Sequence, residues 1–169
     1  MFPLSHSREF RRSKMSVSDP ESYTPEFFSR AARALDAWHA RNITIAANRI
    51  SFTGGIFRLV TNLNPLVPIS SGHIEITQTD DEFVVFYEIS FAEMLVIDSV
   101  MFLLFAGYIL FSPNAPAMPV GALVIFSVLG WLFLFGLNWL LGVVQFSSLV
   151  KSMVRGGERI EQIVGRERR

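Results

Sequence analysis

SVMFLLFAGYILFSPNAPAMPVGALVIFSVLGWLFLFGLNWLLGVVQFSSLV, residues 99–150, contains no Asp, Glu, Lys or Arg. Its two apolar runs, 101–111 and 121–144, are separated by the breaker SPNAPAMP at 112–119. The hydrocarbon core of a bilayer is about 30 Å thick and takes about 20 helical residues at ~1.5 Å each. The second run is long enough alone. The first becomes so by starting near Phe91, which brings Asp98 inside it. Pro113, Pro116 and Pro119 lack an amide proton and interrupt the helical ladder, so the chain is expected to turn there and return. The frame this implies is a transmembrane hairpin: helices at 91–111 and 120–144 joined by a short external loop at 112–119.

Working outward, 169 residues leave room beside the hairpin for one small domain and short tails. A hydrophobic content of 50% fits a membrane class, and 15 acidic against 15 basic residues argues against nucleic acid as a partner. The charge is unevenly laid out. Arg8, Arg11, Arg12 and Lys14 make the start basic, 75–98 carries acids and no Lys or Arg, and 151–169 is basic again. The absence of cysteine excludes disulfides, thiolate metal sites and cysteine nucleophiles. The opening MFPLSHSREFRRSK is followed by polar MSVSDPESYTPE and has no apolar signal core. Residues 1–22 therefore read as a flexible basic tail, and Met15 offers a second start that would make 1–14 dispensable.

Residues 23–90 read as a membrane-apposed cytoplasmic α+β domain. Thr24-Pro25-Glu26 has the chemistry of a helix start, with Tyr23 placed to staple onto Phe28. The helix is expected to run to about Ala40, with Phe27, Phe28, Ala31, Leu35 and Trp38 along one face and Arg30, Arg33 and Arg41 towards the other. Two placements fit this amphipathicity: against the domain's own sheet, or in the headgroup layer. The period then changes from 3.6 to 2. HIEITQ (73–78) and FVVFYEIS (83–90) flank the acidic turn Thr79-Asp80-Asp81-Glu82 and predict a hairpin. RISF (49–52) and IFRLV (56–60) flank Thr53-Gly54-Gly55 and suggest a second. A small antiparallel sheet of four strands follows, held at the bilayer because only Ser90-Phe91-Ala92 separates its last strand from the first span. Beyond the second span, Phe146, Leu149, Val150, Met153 and Val154 keep a helical stripe. Residues 145–169 are thus expected to form an amphipathic helical extension and tail, with the helix ending at Gly156-Gly157.

Reactive constellations are missing. His6, His39 and His73 all precede the spans, and no phosphate-cradling loop, nucleophile elbow or HExxH motif occurs. No catalytic residue, metal ligand or cofactor is predicted. The polar groups at membrane depth are Asp98 and Asn138, a candidate intramembrane contact. Antiparallel residues at equal depth should have indices summing to about 230, leaving the two about six residues, or roughly 9 Å, apart in depth. The alternative is that Asp98 sits in the first turns of its helix with headgroup water in reach, and that Asn138 faces a neighbouring helix.

The run SGHIEITQTDDEFVVFYEISFAEML (71–95) resembles short two-span bacterial membrane proteins, a likeness covering about half the chain. It implies a bacterial membrane setting and brings no catalytic residue. The reading is an α+β membrane protein: a two-helix transmembrane hairpin with a small antiparallel β-sheet plus an amphipathic helix at the membrane surface. It is expected in the bacterial inner membrane with both termini cytoplasmic. Its partners would be the lipid bilayer and other membrane subunits or further copies of itself. The expected role is a non-catalytic accessory or interaction subunit of a membrane assembly, and not an enzyme. The alternatives are a homo-oligomeric two-span channel or transporter with Asp98 on a polar path, and a membrane-bound enzyme relying on a partner.

Overall fold

The computed structural model describes residues 4–54, 66, 68–111 and 119–155. The architecture is α+β. Five strands, β1 (Ser5–Ser13), β2 (Arg41–Ala46), β3 (Arg49–Thr53), β4 (Ser71–Gln78) and β5 (Glu82–Ser90), form one antiparallel sheet in the order β1-β5-β4-β3-β2. Helix α1 (Pro20–Ala37) carries the chain across one sheet face, from the β1 edge to the β2 edge. Helices α2 (Ala92–Phe111) and α3 (Val120–Val154) follow the last strand.

The expected hairpin at 73–90 is present as β4 and β5. Its turn is closed by the Thr79 N–H donating to the Glu82 carbonyl at 2.9 Å and the Glu82 N–H donating to Thr79 Oγ1 at 3.2 Å. Strand alternation is complete along β5. Phe83, Val85, Tyr87 and Ile89 are buried on one face, in register with Gln78, Ile76, Ile74 and Gly72 of β4 respectively. Ile50 and Phe52 of β3 extend the same rows.

Three sequence expectations are corrected. Residues 5–13, read as a flexible tail, are an edge strand paired with β5 along its whole length, Ser5 against Ser90 to Ser13 against Glu82. Deleting 1–14 would therefore remove a strand. The hairpin partner of β3 is β2, joined through Ala47 and Asn48 with Ala47 at φ 50°. With β4 on its other side both edges of β3 are taken, and the strand proposed at 56–60 lies outside the described residues. The helix begins five residues early. Asp19 caps it by accepting from the Glu21 N–H at 3.1 Å, Pro20 occupies the first position, and Pro25 lies inside. Asp-Pro-Glu at 19–21 has the same start chemistry as Thr-Pro-Glu at 24–26. The earlier start prevails because it puts Tyr23 on the buried face of α1, against the ring of Phe83 at 4.3 Å, rather than stapled to Phe28.

Of the two placements for this helix, the structure has the sheet. Tyr23, Phe27, Phe28, Ala31, Ala34, Leu35 and Trp38 belong to the sheet core. That core has a third contributor, the last turns of α3. Phe146 stacks on Phe52 at 5.7 Å and meets Tyr87 edge-on at 5.3 Å, while Leu149, Val150, Met153 and Val154 are buried beside it. Each fully buried side chain of this size contributes about 1.5–3 kcal/mol of transfer free energy. The second apolar helix therefore does not stop at residue 144. It continues unbroken to Val154 and docks beneath the sheet. The loop 112–118 and the tail 156–169 lie outside the described residues.

Helices α2 and α3 are both long and apolar enough to cross a membrane, with mean hydropathies of 2.3 and 2.1. They form an antiparallel pair. A Cβ at Gly130 would lie 3.2 Å from Phe102, and one at Gly142 would lie 2.9 Å from Phe91. The index sums of 232 and 233 for these pairs agree with the value of about 230 expected for residues at equal depth.

Candidate functional site

The sheet meets the helical hairpin at a junction one residue long, Phe91, between the end of β5 and the start of α2. So abrupt a change needs donors satisfied at the helix start. The Glu93 N–H donates to the buried Ser70 Oγ at 2.8 Å, the Ala92 N–H to Ser90 Oγ at 3.4 Å, and the Phe91 N–H to the Leu4 carbonyl at 2.8 Å. The other end of the hairpin's attachment is the C-terminus of α3, whose last carbonyls lack partners within the helix and carry its negative dipole end. Arg12 Nη1 of β1 and the Tyr23 hydroxyl of α1, the latter at 3.3 Å, both donate to the Val154 carbonyl. The Arg12 guanidinium also lies over the Tyr23 ring, 5.4 Å from its centroid.

Between these two ends runs a seam where β1 lies along α3. Alternation on β1 turns His6, Arg8, Phe10 and Arg12 towards the helix, in register with Ile89, Tyr87, Val85 and Phe83 of the buried face. Arg8 Nη1 donates to the buried Ser147 Oγ at 3.0 Å. The His6 ring sits 6.0 Å from Tyr87 and 6.3 Å, edge-on, from Trp139. Three polar atoms here are buried without a hydrogen-bond partner: His6 Nε2, the Tyr87 hydroxyl and Trp139 Nε1. Burial, reinforced by the Arg8 charge, holds the His6 imidazole below its ordinary 6.5, so it is neutral at pH 7. Burial raises the Tyr87 phenol above 10.0, partly offset by the Ser147 hydroxyl and the Arg8 charge, so it stays a protonated donor.

Asp98 and Asn138 come to different surroundings. At the observed index sums Asp98 is level with Leu134 and Phe135, and Asn138 with Met94 and Leu95, so their depths differ by roughly 5–6 Å. The depth gap is smaller than expected. Even so, no hydrogen bond joins them. Asn138 is exposed on α3, whereas Asp98 is half-buried with its Oδ2 enclosed and without a hydrogen-bond partner. Ser127 Oγ and Trp131 Nε1 of α3 are likewise enclosed and unpartnered.

Sequence reasoning missed the β1 seam because it read 1–22 as a tail. Two signals were present: the alternation of His6, Arg8, Phe10 and Arg12 with Ser5, Ser7, Glu9 and Arg11, and a tryptophan, Trp139, near the end of an apolar run. Comparison with protein-family models, with curated proteins and with solved structures finds no match to this chain.

Proposed function

We propose that the chain is an integral protein of a bacterial inner membrane, with both ends and the sheet on the cytoplasmic side, acting as a non-catalytic accessory or interaction subunit of a membrane assembly. The observation that carries this reading is the surface of the hairpin. None of the apolar stretch of α2 and 11% of that of α3 is buried within the chain. A core helix of a soluble domain would be covered, so so much exposed Leu, Val and Phe calls for lipid or other helices. The orientation is supported by charge: 112–119 has no Lys or Arg, while Lys151 and Arg155 follow the second span and the sheet domain is rich in arginine. Because the chain has no cysteine, Asn114→Cys places a single thiol in the loop. An impermeant reagent is expected to label it on intact cells, and labelling only after lysis would reverse the topology.

The role is tested by the mass of the complex after mild detergent extraction. A heteromeric assembly is the expected outcome. A symmetric homo-oligomer would favour the second reading, a two-span channel, for which the enclosed and unpartnered Asp98 Oδ2 is the supporting observation. A monomer would count against both.

A further inference from the structure

The seam between β1 and α3 gathers hydrogen-bond donors around the Arg8 charge. Trp139 Nε1 and the Arg8 guanidinium can only donate, whereas the Tyr87 hydroxyl and the neutral His6 ring can each donate or accept. Ser147 Oγ accepts one of the Arg8 protons at 3.0 Å. The Trp139 indole and His6 Nε2 find no partner, and the Tyr87 hydroxyl has the Ser147 hydroxyl near it without a formed hydrogen bond. Tyr87 is fully enclosed, at 0% exposure, which makes an idle hydroxyl there costly by about 1–3 kcal/mol. Three such atoms, one on the imidazole and two beside it, are more than accident of packing accounts for, since buried polar groups in folded proteins are ordinarily satisfied.

Depth identifies the complement. Trp139 packs against Phe91 at 6.3 Å, the residue immediately before α2, and so lies at the level where the hairpin leaves the sheet. If the chain spans the membrane as proposed above, that level is the headgroup layer, where tryptophan is favoured. Arg8 is exposed at the free edge of β1, which leaves the seam a charged mouth open to its surroundings. We infer that the seam of His6, Arg8, Tyr87, Trp139 and Ser147 is a binding site for a phosphate group, supplied by the headgroup of an anionic phospholipid. Phosphate oxygens are acceptors only, and they match a cation flanked by an indole, a phenol and an imidazole. The glycerol and acyl part would continue along α3 below Trp139, where Leu132 is exposed.

The test uses the full chain, first shown to resist carbonate extraction from membranes so that failure of the site is distinguishable from failure of the membrane reading. Native mass spectrometry in detergent then measures adducts with phosphatidylglycerol and with inorganic phosphate. One phosphatidylglycerol per chain is expected. Tyr87→Phe deletes only the hydroxyl, Trp139→Phe deletes the indole N–H together with part of the ring, and each should weaken retention roughly five-fold. Arg8→Gln should weaken it roughly ten-fold or more, with partial recovery in Arg8→Lys. Without lipid, Tyr87→Phe should be as heat-stable as the parent chain or more so, because it removes a donor that has no acceptor. Inorganic phosphate binding as well as the lipid, with the same variant sensitivity, would uphold the phosphate site and assign its source to solution. Retention unchanged in all three variants, or no adduct in carbonate-resistant protein, would overturn it.

Discussion

Glycine at position 142 shows how much of the packing rests on single atoms. A Cβ there would lie 2.8 Å from Pro68 Cγ and 2.9 Å from Phe91 Cε1, and Phe91 is fully buried. At Gly136, one and a half turns away, a Cβ would meet nothing within 4 Å. The two glycines look equivalent in sequence, both inside one apolar helix, and only the neighbour distinguishes them. Gly142→Ala is expected to destabilise the protein by about 1–3 kcal/mol through overpacking at the junction, and Gly136→Ala to be neutral or mildly stabilising. Thermal unfolding in one detergent, followed by circular dichroism, checks both. Equal midpoints for the two variants would mean that α3 does not approach the junction so closely.

At the scale of elements, what was legible followed from period and length. The apolar runs, the β4–β5 hairpin and the buried stripe of α1 are each repeated patterns of one residue class, and each stands close to where it was expected. Strand β1 was illegible for a physical reason. Its inward positions are filled by His6, Arg8, Phe10 and Arg12; the two guanidiniums reach a helix hydroxyl and a helix carbonyl while their stems cover apolar surface, so the alternation is not a hydrophobic one. The same residues explain what the strand does: it closes one edge of β5 and caps the end of α3. A chain started at Met15 loses both. It is expected to expose the β5 edge, to aggregate on extraction and to melt well below the full-length protein, since a cap and a strand's worth of pairing are lost together. Size-exclusion chromatography and thermal melts of the two lengths provide the comparison. A monodisperse truncated chain with an unchanged midpoint would show β1 to be dispensable.

For the whole molecule, the sequence indicated a domain at a membrane and an apolar stripe continuing the second helix past its span, but not that this stripe packs under the sheet. The docking of Phe146 to Val154 under the sheet depends on residues far apart in the chain, Phe52 and Tyr87 among them, and no local pattern encodes such a pairing. The candidate site was unreadable for the same reason: His6, Tyr87 and Trp139 are joined only by tertiary packing. This shared core makes the sheet and the end of α3 one cooperative unit. Amide exchange in nanodiscs is expected to show 71–78, 82–90 and 146–154 opening with the same free energy, while Asp80 and Asp81 in the turn exchange fast. Early exchange of 146–154 with the strands still protected would separate the two.

Helix α3 has 35 residues, about 52 Å at the usual rise, and no proline interrupts it between Val120 and Val154. Held by the sheet at one end and, on the placement proposed above, embedded along most of its length, it is a lever without a joint. A spanning helix meets a thinner or thicker bilayer by changing its tilt, and here the tilt has nowhere to be absorbed before it reaches the sheet. On the placement proposed above, bilayer thickness, or a neighbour leaning on the far end of the hairpin, would be translated into the attitude of the sheet, so that the angle at which the sheet meets any partner would be set from the far end of α3.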